Sequence, residues 1–492
     1  MTPGIDARAP RRLLDLERFL AACLAVCTGL ILAACGGGGG DPAPAPAPQP
    51  TVALSASAAT VAGGQALTLT WSAQNTGAAT CTASGAWSGQ VATSGSQQVT
   101  PAVQAAGYTA TYTLTCGPAG NSVAVAVTPP ANVVPVTVDA GPTGSRQFNL
   151  PFVSVTVCRP GTTACQTIDH VLLDTGSYGL RLVAPLDGAL ALPAVTAPSG
   201  AAAGECAQFI SGYTWGAVVQ ADVRLGGETA AAQSVQLIGQ APGGVGGVPT
   251  ACSSTGGSMN TVAELGANGV LGVGLFKEDC GPVCAGNVIP GTYYACANGT
   301  CTATAMPLAQ QVANPVAAFG ADNNGIAIAL PAVGTGGAAA LAGTLTFGIG
   351  TQANNALGGA TRYAADANGH FTTIYKGTAL TSSFIDSGSN GLFFNDAGIP
   401  KCSTSTDFYC PPAPLALSAT VLGYDGGASG TVAFTIENID ALPGSAVAGW
   451  VGGPYDAHRR TGTAFDWGLP FFFGRKVYVG FATNPNGPYW AF

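Results

Sequence analysis

The sequence predicts an all-β protein in which a small β-sandwich precedes a larger domain of two related lobes. Three observations carry that prediction. Only 8% of the 492 residues are Asp, Glu, Lys or Arg, 47% are hydrophobic, and glycine is abundant at 71. That composition leaves little material for long solvated helices and much for strands and turns. Short runs of alternating apolar residues recur between Gly-rich turns. One segment occurs twice, about two hundred residues apart, with its key residues in register. The net charge is −8 and no basic patch stands out beyond the first residues, so nucleic-acid binding is not expected. Three histidines, His170, His370 and His458, are meagre material for a His-based metal site or a Ser-His-Asp triad.

Residues 1–35 read as a targeting segment. Arg8, Arg11, Arg12 and Arg18 precede an apolar run from Phe19 to Ala34, which is short for a spanning helix of ~20 residues. The run ends in Leu32-Ala33-Ala34-Cys35, which resembles a bacterial lipobox whose cysteine, Cys35, becomes the lipidated first residue. An ordinary cleaved secretory signal is the alternative. Gly36 follows where an aspartate would favour retention at the inner membrane, so resemblance to Gram-negative lipoproteins implies the outer membrane. Residues 36–50, GGGGGDPAPAPAPQP, read as a tether: flexible at its glycines, stiffer in Pro-Ala, and reaching up to roughly 45 Å at ~3 Å per residue.

Fifteen cysteines support export. Cys23 and Cys27 belong to the leader and Cys35 to the lipid site. The other twelve form neighbouring pairs: Cys81/Cys116, Cys158/Cys165, Cys206/Cys252, Cys280/Cys284, Cys296/Cys301 and Cys402/Cys410. Neighbour pairing is the economical expectation, although spacing does not fix connectivity. A zinc site from Cys280, Cys284, Cys296 and Cys301 is the rival, less expected in an exported chain. No metal or other cofactor is expected.

Residues 51–130 read as the sandwich, from strands such as Ala66–Trp71, Tyr112–Cys116 and Ser122–Val127. The unit resembles immunoglobulin-like modules of bacterial surface proteins, although Trp71 precedes both cysteines here. A spacer role is expected, with weak glycan or surface binding as the alternative.

In residues 131–492 the repeat sets Leu172-Leu-Asp-Thr-Gly-Ser-Tyr-Gly-Leu-Arg-Leu182 against Phe384-Ile-Asp-Ser-Gly-Ser-Asn-Gly-Leu-Phe-Phe394. Each copy is followed further on by an apolar-Gly step, Val270-Leu271-Gly272 and Asp466-Trp467-Gly468. Duplicated lobes at 131–305 and 306–492, related by a pseudo-twofold axis, are the expectation. The apolar lead-in aims Asp174 and Asp386 from buried strands. Gly176 and Gly388 let backbone N–H groups approach the carboxylates. Thr175 and Ser387 can bond across to the other lobe, and Ser177 and Ser389 to the outer carboxylate oxygens. Two carboxylates brought together cannot both ionise easily, so one keeps a proton and the other serves as base.

These segments resemble the two active-site motifs of pepsin-like aspartic proteases. The resemblance implies a bilobal double-barrel fold and an Asp174–Asp386 pair that activates water against a peptide bond, with a polypeptide substrate and a monomeric enzyme. Asn268–Phe276 and Trp467–Tyr478 are similar to the stretches closing each lobe, and Leu345–Gly350 to the strand and turn opening the second lobe's sheet. Phe209–Gly216 with Ala221–Gly227 resembles the flap hairpin. Its candidates are Phe209, which register favours, Tyr213, which residue type favours, and Trp215. Three departures qualify the activity. Ser387 stands where the family usually has Thr, Arg181 where it has the Trp that holds the flap Tyr, and residues 51–130 lack the basic character of a prosegment. A retired site acting as a binding or scaffold lipoprotein is therefore the alternative function. As a whole the chain also resembles a bacterial lipoprotein family known only as a domain of unknown function.

Overall fold

The computed structural model describes residues 47–104, 106–142, 147–442, 444–455 and 464–492. The leader, Cys35, most of the tether and His458 lie outside the described residues. No helix among the described residues is long and apolar enough to cross a membrane.

Residues 51–128 form two sheets. Thr51–Ala56, Leu67–Gln74 and Ser94–Val99 make a three-stranded antiparallel sheet. Thr60–Ala62, Ala119–Thr128, Tyr108–Cys116, Thr80–Gly85 and Gly89–Ala92 make a five-stranded one. Strand alternation explains the core: Leu67, Leu69 and Trp71 are buried while the Thr and Ser between them face outward or are half-buried. They pack with Tyr112, Leu114, Val125 and Val127. The Cys81–Cys116 disulfide joins neighbouring strands of the five-stranded sheet.

The larger domain is built around a long sheet that runs through both lobes. Strand β1 (Val133–Asp139) is its spine. One edge pairs with β2 (Leu150–Cys158) of the first lobe. The other pairs along Leu341–Thr346 of the strand Leu341–Phe347 in the second. β1 carries four core valines, Val133, Val134, Val136 and Val138, so both lobes condense on one apolar ribbon.

Each lobe then repeats one three-strand device. In the first, β3 (Cys165–Asp174) leads into Asp174 and β4 (Tyr178–Val183) leads away from it. β5 (Ala202–Phe209) and β6 (Gly212–Leu225) form a hairpin beside them. β7 (Gly269–Val273) inserts between β3 and β4, parallel to β3 and antiparallel to β4. In the second lobe, β8 (Thr378–Ile385) leads into Asp386 and β9 (Leu392–Phe393) away from it. β10 (Asp466–Trp467) inserts parallel to β8 and antiparallel to β9. Glycine is required where the inserted strand crosses. A Cβ at Gly272 would lie 2.6 Å from the Tyr178 backbone nitrogen, and one at Gly468 would lie 2.1 Å from the Gly391 carbonyl oxygen. The apolar-Gly steps of the sequence are these crossings. The fold is therefore all-β and bilobal, with two barrel-like lobes in the pepsin-like arrangement.

Candidate active site

Val171 and Leu173 are fully buried and Leu172 nearly so as β3 approaches its last residue, Asp174, which is 6% exposed. A strand held on both sides fixes where its last carboxylate points. Ile385 does the same for Asp386, which is 9% exposed. Both aspartates line one cleft of about 400 Å³, with Ser177, Ser389 and the hairpin residues Phe209 and Ile210.

The two turns interlock. Thr175 Oγ1 donates to the Ile385 carbonyl at 2.9 Å and accepts from Ser387 N at 2.9 Å. Ser387 Oγ donates to the Leu173 carbonyl at 2.6 Å and accepts from Thr175 N at 3.1 Å. Every bond in this set crosses between lobes. The carboxylates are cradled in the same symmetric way. Gly176 N donates to Asp174 Oδ1 and Gly388 N to Asp386 Oδ1, each at 2.8 Å. Ser177 Oγ donates to Asp174 Oδ2 at 2.5 Å. Ser389 Oγ lies 2.8 Å from Asp386 Oδ2 and also 2.8 Å from Asp466 Oδ2. Each glycine packs on the opposite carboxylate: a Cβ at Gly176 would lie 2.6 Å from Asp386 Cγ, and one at Gly388 2.7 Å from Asp174 Oδ1.

Ser387→Ala removes two of the four crossing bonds from a fully buried position. The expected loss is about 1–3 kcal/mol of unfolding free energy, measured by urea titration. An unchanged midpoint and slope would show that the crossing bonds contribute nothing net.

Burial pushes the Asp174 carboxyl well above the ordinary carboxylate range, and the Asp386 charge and its hydrogen bond push the same way. Ser177 and Gly176, both donating, pull it back only in part. Burial and the neighbouring charge thus favour the uncharged form of Asp174. Asp279 is also raised well above its usual value, by burial and by Glu205. Both groups bind protons more tightly folded than unfolded. Their contribution to stability is present below the unfolded carboxylate pKa of about 4 and is lost as pH rises through the folded values. Thermal unfolding is thus expected at a higher temperature in mild acid than at neutral pH, with Asp174→Asn and Asp279→Asn each flattening the slope. A Tm that rises steadily from acid to neutral pH would contradict this.

Of the hairpin candidates, Phe209 lines the cleft. Tyr213 and Trp215 lie on the opposite side of the hairpin, in a core with Cys206, Cys252 and Tyr294. Arg181, 3% exposed, extends beneath the hairpin with its guanidinium 5.9 Å from the Phe209 ring centre. It donates to the Tyr178 carbonyl at 2.7 Å, to Glu205 Oε1 of β5 at 2.5 Å and to Asp279 Oδ2 at 3.1 Å. Tyr293 OH donates to Asp279 Oδ1 at 2.6 Å. A second cavity of about 470 Å³ adjoins the first here, lined by Ser177, Arg181, Gln208, Phe209 and Asp279 among others.

The twelve cysteines of the described residues are paired as Cys81–Cys116, Cys158–Cys165, Cys206–Cys252, Cys280–Cys284, Cys296–Cys301 and Cys402–Cys410. Cys280, Cys284, Cys296 and Cys301 are thereby committed to disulfides, which removes the thiolates that a zinc site needs. Cys206–Cys252 fastens the hairpin strand β5 to the helix Thr250–Ser253. Cys402, Cys410 and Asp440 lie close enough together to hold a cation, but the two sulfurs are bonded to each other.

Sequence reasoning did not single out Glu205, Asp279, Tyr293 or Asp466. The first three are scattered along the chain, and only the fold joins them to Arg181. Asp466 left a trace: it is an acid in an otherwise apolar closing stretch, where the first lobe has Val270.

Two lobes, each delivering an Asp-Thr/Ser-Gly-Ser turn whose hydroxyl bonds to the opposite lobe, place the chain in the class of pepsin-like double-lobed folds. The chain belongs to the family described as "Protein of unknown function (DUF3443)", whose model matches residues 128–492. No curated protein matches it. Among solved structures it is similar to the aspartic proteinase from Irpex lacteus, at 17% identity over 73% of this chain and 96% of that one, with a TM-score of 0.42.

Proposed function

We propose that this chain is an aspartic-type endopeptidase in which Asp174 and Asp386 activate water to cleave a peptide bond. The observation that carries the reading is the pair itself: two buried carboxyls in hydrogen-bond reach at the floor of a cleft, one of them held well up in pKa. Asp174 keeps the shared proton and gives it to the carbonyl oxygen of the substrate. Asp386 takes a proton from water as the water oxygen bonds to the carbonyl carbon. Collapse of the tetrahedral diol then breaks the C–N bond. Asp386 returns its proton to the leaving nitrogen, and Asp174 recovers one from a diol hydroxyl. No bond to the protein forms. Gly176 N, Gly388 N, Ser177 and Ser389 hold the carboxylates in place throughout, so little reorganisation is needed at the moment of reaction.

The sequence adds a setting. Lipidation at Cys35 would anchor a monomeric enzyme to the outer membrane. The tether and an immunoglobulin-like spacer over 51–130 would hold the cleft away from the bilayer. Labelling with a radioactive fatty acid, with Cys35→Ala as the unlabelled control, checks the anchor.

The activity is tested by incubating the purified full chain with an unfolded protein between about pH 3 and 7. Cleavage that pepstatin blocks is the expected result. No cleavage of varied substrates anywhere in that range would favour the retired binding module, a reading that Arg181 and the hydroxyl-free Phe209 at the hairpin keep in play.

A further inference from the structure

The second lobe has a cavity that shares no lining residue with the cleft of the aspartates. Its volume is about 410 Å³, and Val333, Leu417, Phe434, Trp450, Phe473 and Arg475 are among the residues around it. Strand alternation separates the two spaces: Phe393 of β9 lines the cleft, whereas Leu392 before it lines this cavity. Trp467 of β10, fully buried, bounds the cavity from the core side. Its ring packs on Phe434 and Phe471, and its indole nitrogen donates to Thr373 Oγ1 at 3.0 Å. The antiparallel hairpin of Leu415–Leu422 and Ser429–Ile436 supplies one wall. There Leu417 sits opposite Phe434, and both are only half-buried, as is Trp450.

Among the described residues lining this cavity, Arg475 is the only charged one and Thr435 the only one with a hydroxyl; the rest, two indole N–H groups aside, are apolar. Arg475 opens the strand Arg475–Gly480 and is half-buried. It donates from Nη1 to the Phe471 carbonyl at 2.8 Å, and its guanidinium carbon lies 4.7 Å from the centre of the Phe471 ring. Those are its partners among the described residues, and neither is an acid. Burial pulls its pKa down from the ordinary guanidinium value, as expected where no counter-charge offsets lost hydration. The edge of the guanidinium formed by Nε and Nη2 is thus left for an acceptor, and that edge has the fork geometry that a carboxylate fits. The walls define the rest of the ligand. A peptide would bring N–H and C=O groups that this lining cannot pair. An alkyl chain brings none, and the volume is in the range of small-molecule sites.

We propose that this cavity binds a fatty acid: one unbranched alkyl chain lies among Leu417, Phe434 and Trp450, and its carboxylate accepts from the free edge of Arg475. The chain supplies affinity by leaving water, and the Arg475 contact fixes its direction and selects an anion. Binding covers the half-buried rings of Phe434 and Trp450 and gives the guanidinium the counter-charge that the protein does not provide. The site is separate from the aspartate pair, so it stands whether or not the cleft cleaves peptides.

Titration calorimetry of the full chain at neutral pH tests this, with octanoate, decanoate, decanol and decyltrimethylammonium as probes below their micelle concentrations. One decanoate per chain is expected, and octanoate should bind more weakly by roughly fourfold per methylene lost. Decanol, with the same chain and no charge, should bind about tenfold or more weaker than decanoate. Arg475→Gln should bring decanoate down to the level of decanol and leave decanol unchanged. Trp450→Ala should weaken both alike. Melting curves of each variant confirm that it is folded before titration. Asp174→Asn, altered only in the cleft, should bind decanoate as the wild type does. Several results would overturn the proposal: no saturable binding of decanoate, equal binding of decanoate and decyltrimethylammonium, or decanoate binding untouched in a folded Arg475→Gln chain. Loss of decanoate binding in Asp174→Asn would place the ligand in the cleft and also overturn it. Acetyl-Leu-Leu-Phe as its free acid is the last probe. If it bound more tightly than decanoate and depended on Arg475, the site would belong to a peptide carboxylate and not to a fatty acid.

Discussion

On the endopeptidase reading, Asp174→Asn is expected to lower kcat/KM for peptide cleavage by about 10²–10⁴-fold, equivalent to roughly 3–5 kcal/mol of barrier. The amide oxygen can still accept from Gly176 N, which is 2.8 Å from Asp174 Oδ1. The amide nitrogen can face Ser177 and Asp386. What disappears is a proton that the pair can give to a carbonyl oxygen. Burial and Asp386 already favour the uncharged form of Asp174, so an uncharged side chain of the same shape suits the site. The variant should therefore fold, with a Tm at neutral pH equal to or above that of the wild type. Activity and Tm measured on one preparation separate chemistry from folding. A variant that cleaves as fast as wild type would remove Asp174 from the reaction and the endopeptidase with it.

Arg181→Met destabilises the larger domain by about 3–5 kcal/mol, the usual result of removing one partner from a buried ion network. Arg181, Glu205 and Asp279 are almost wholly inside the protein, and the guanidinium joins both carboxylates to the Tyr178 carbonyl. Without the cation two buried acids remain, with the Tyr293 hydroxyl on only one of them. The loss should be deeper near pH 7 than near pH 4, because a protonated acid has less need of a cation. Urea unfolding at the two pH values measures it. Equal losses would assign the effect to the missing side-chain volume. Arg181→Lys should rescue little, since one ammonium cannot span three acceptors set in the guanidinium's plane.

Sequence and structure meet most closely where a rule is local. Period-two alternation located Leu67–Gln74, Tyr108–Cys116 and Ala119–Thr128 of the sandwich but not Thr80–Gly85, Gly89–Ala92 or Ser94–Val99. The in-register repeat located both aspartates with their hydroxyl and glycine neighbours, and the apolar-Gly steps located the Gly272 and Gly468 crossings, because each shows as a short run of adjacent residues. Pairings over long separations left little trace. Arg181 is only a basic residue in a strand until the fold brings Glu205 and Asp279 to it. The hairpin shows another limit. From Gly212 to Val219 every residue of β6 is buried, so alternation does not tell which face looks into the cleft. Tyr213 and Trp215 share the face turned away, and Phe209 at the tip is the aromatic that remains in the cleft.

The placement of β1 has a mechanical consequence. Thr137 and Val138 are paired on both edges at once, to the first lobe on one side and the second on the other. A ladder bonded along both edges makes a poor hinge, because opening it would break several backbone bonds together. The lobes are riveted through a common plate, and traffic through the cleft is left to the hairpin tip, where Ile210 is 45% exposed above the aspartates. The rate at which such a protein exchanges whatever its cleft holds would then be governed by one short turn, Ile210-Ser211, and hardly by the mass of the lobes on either side.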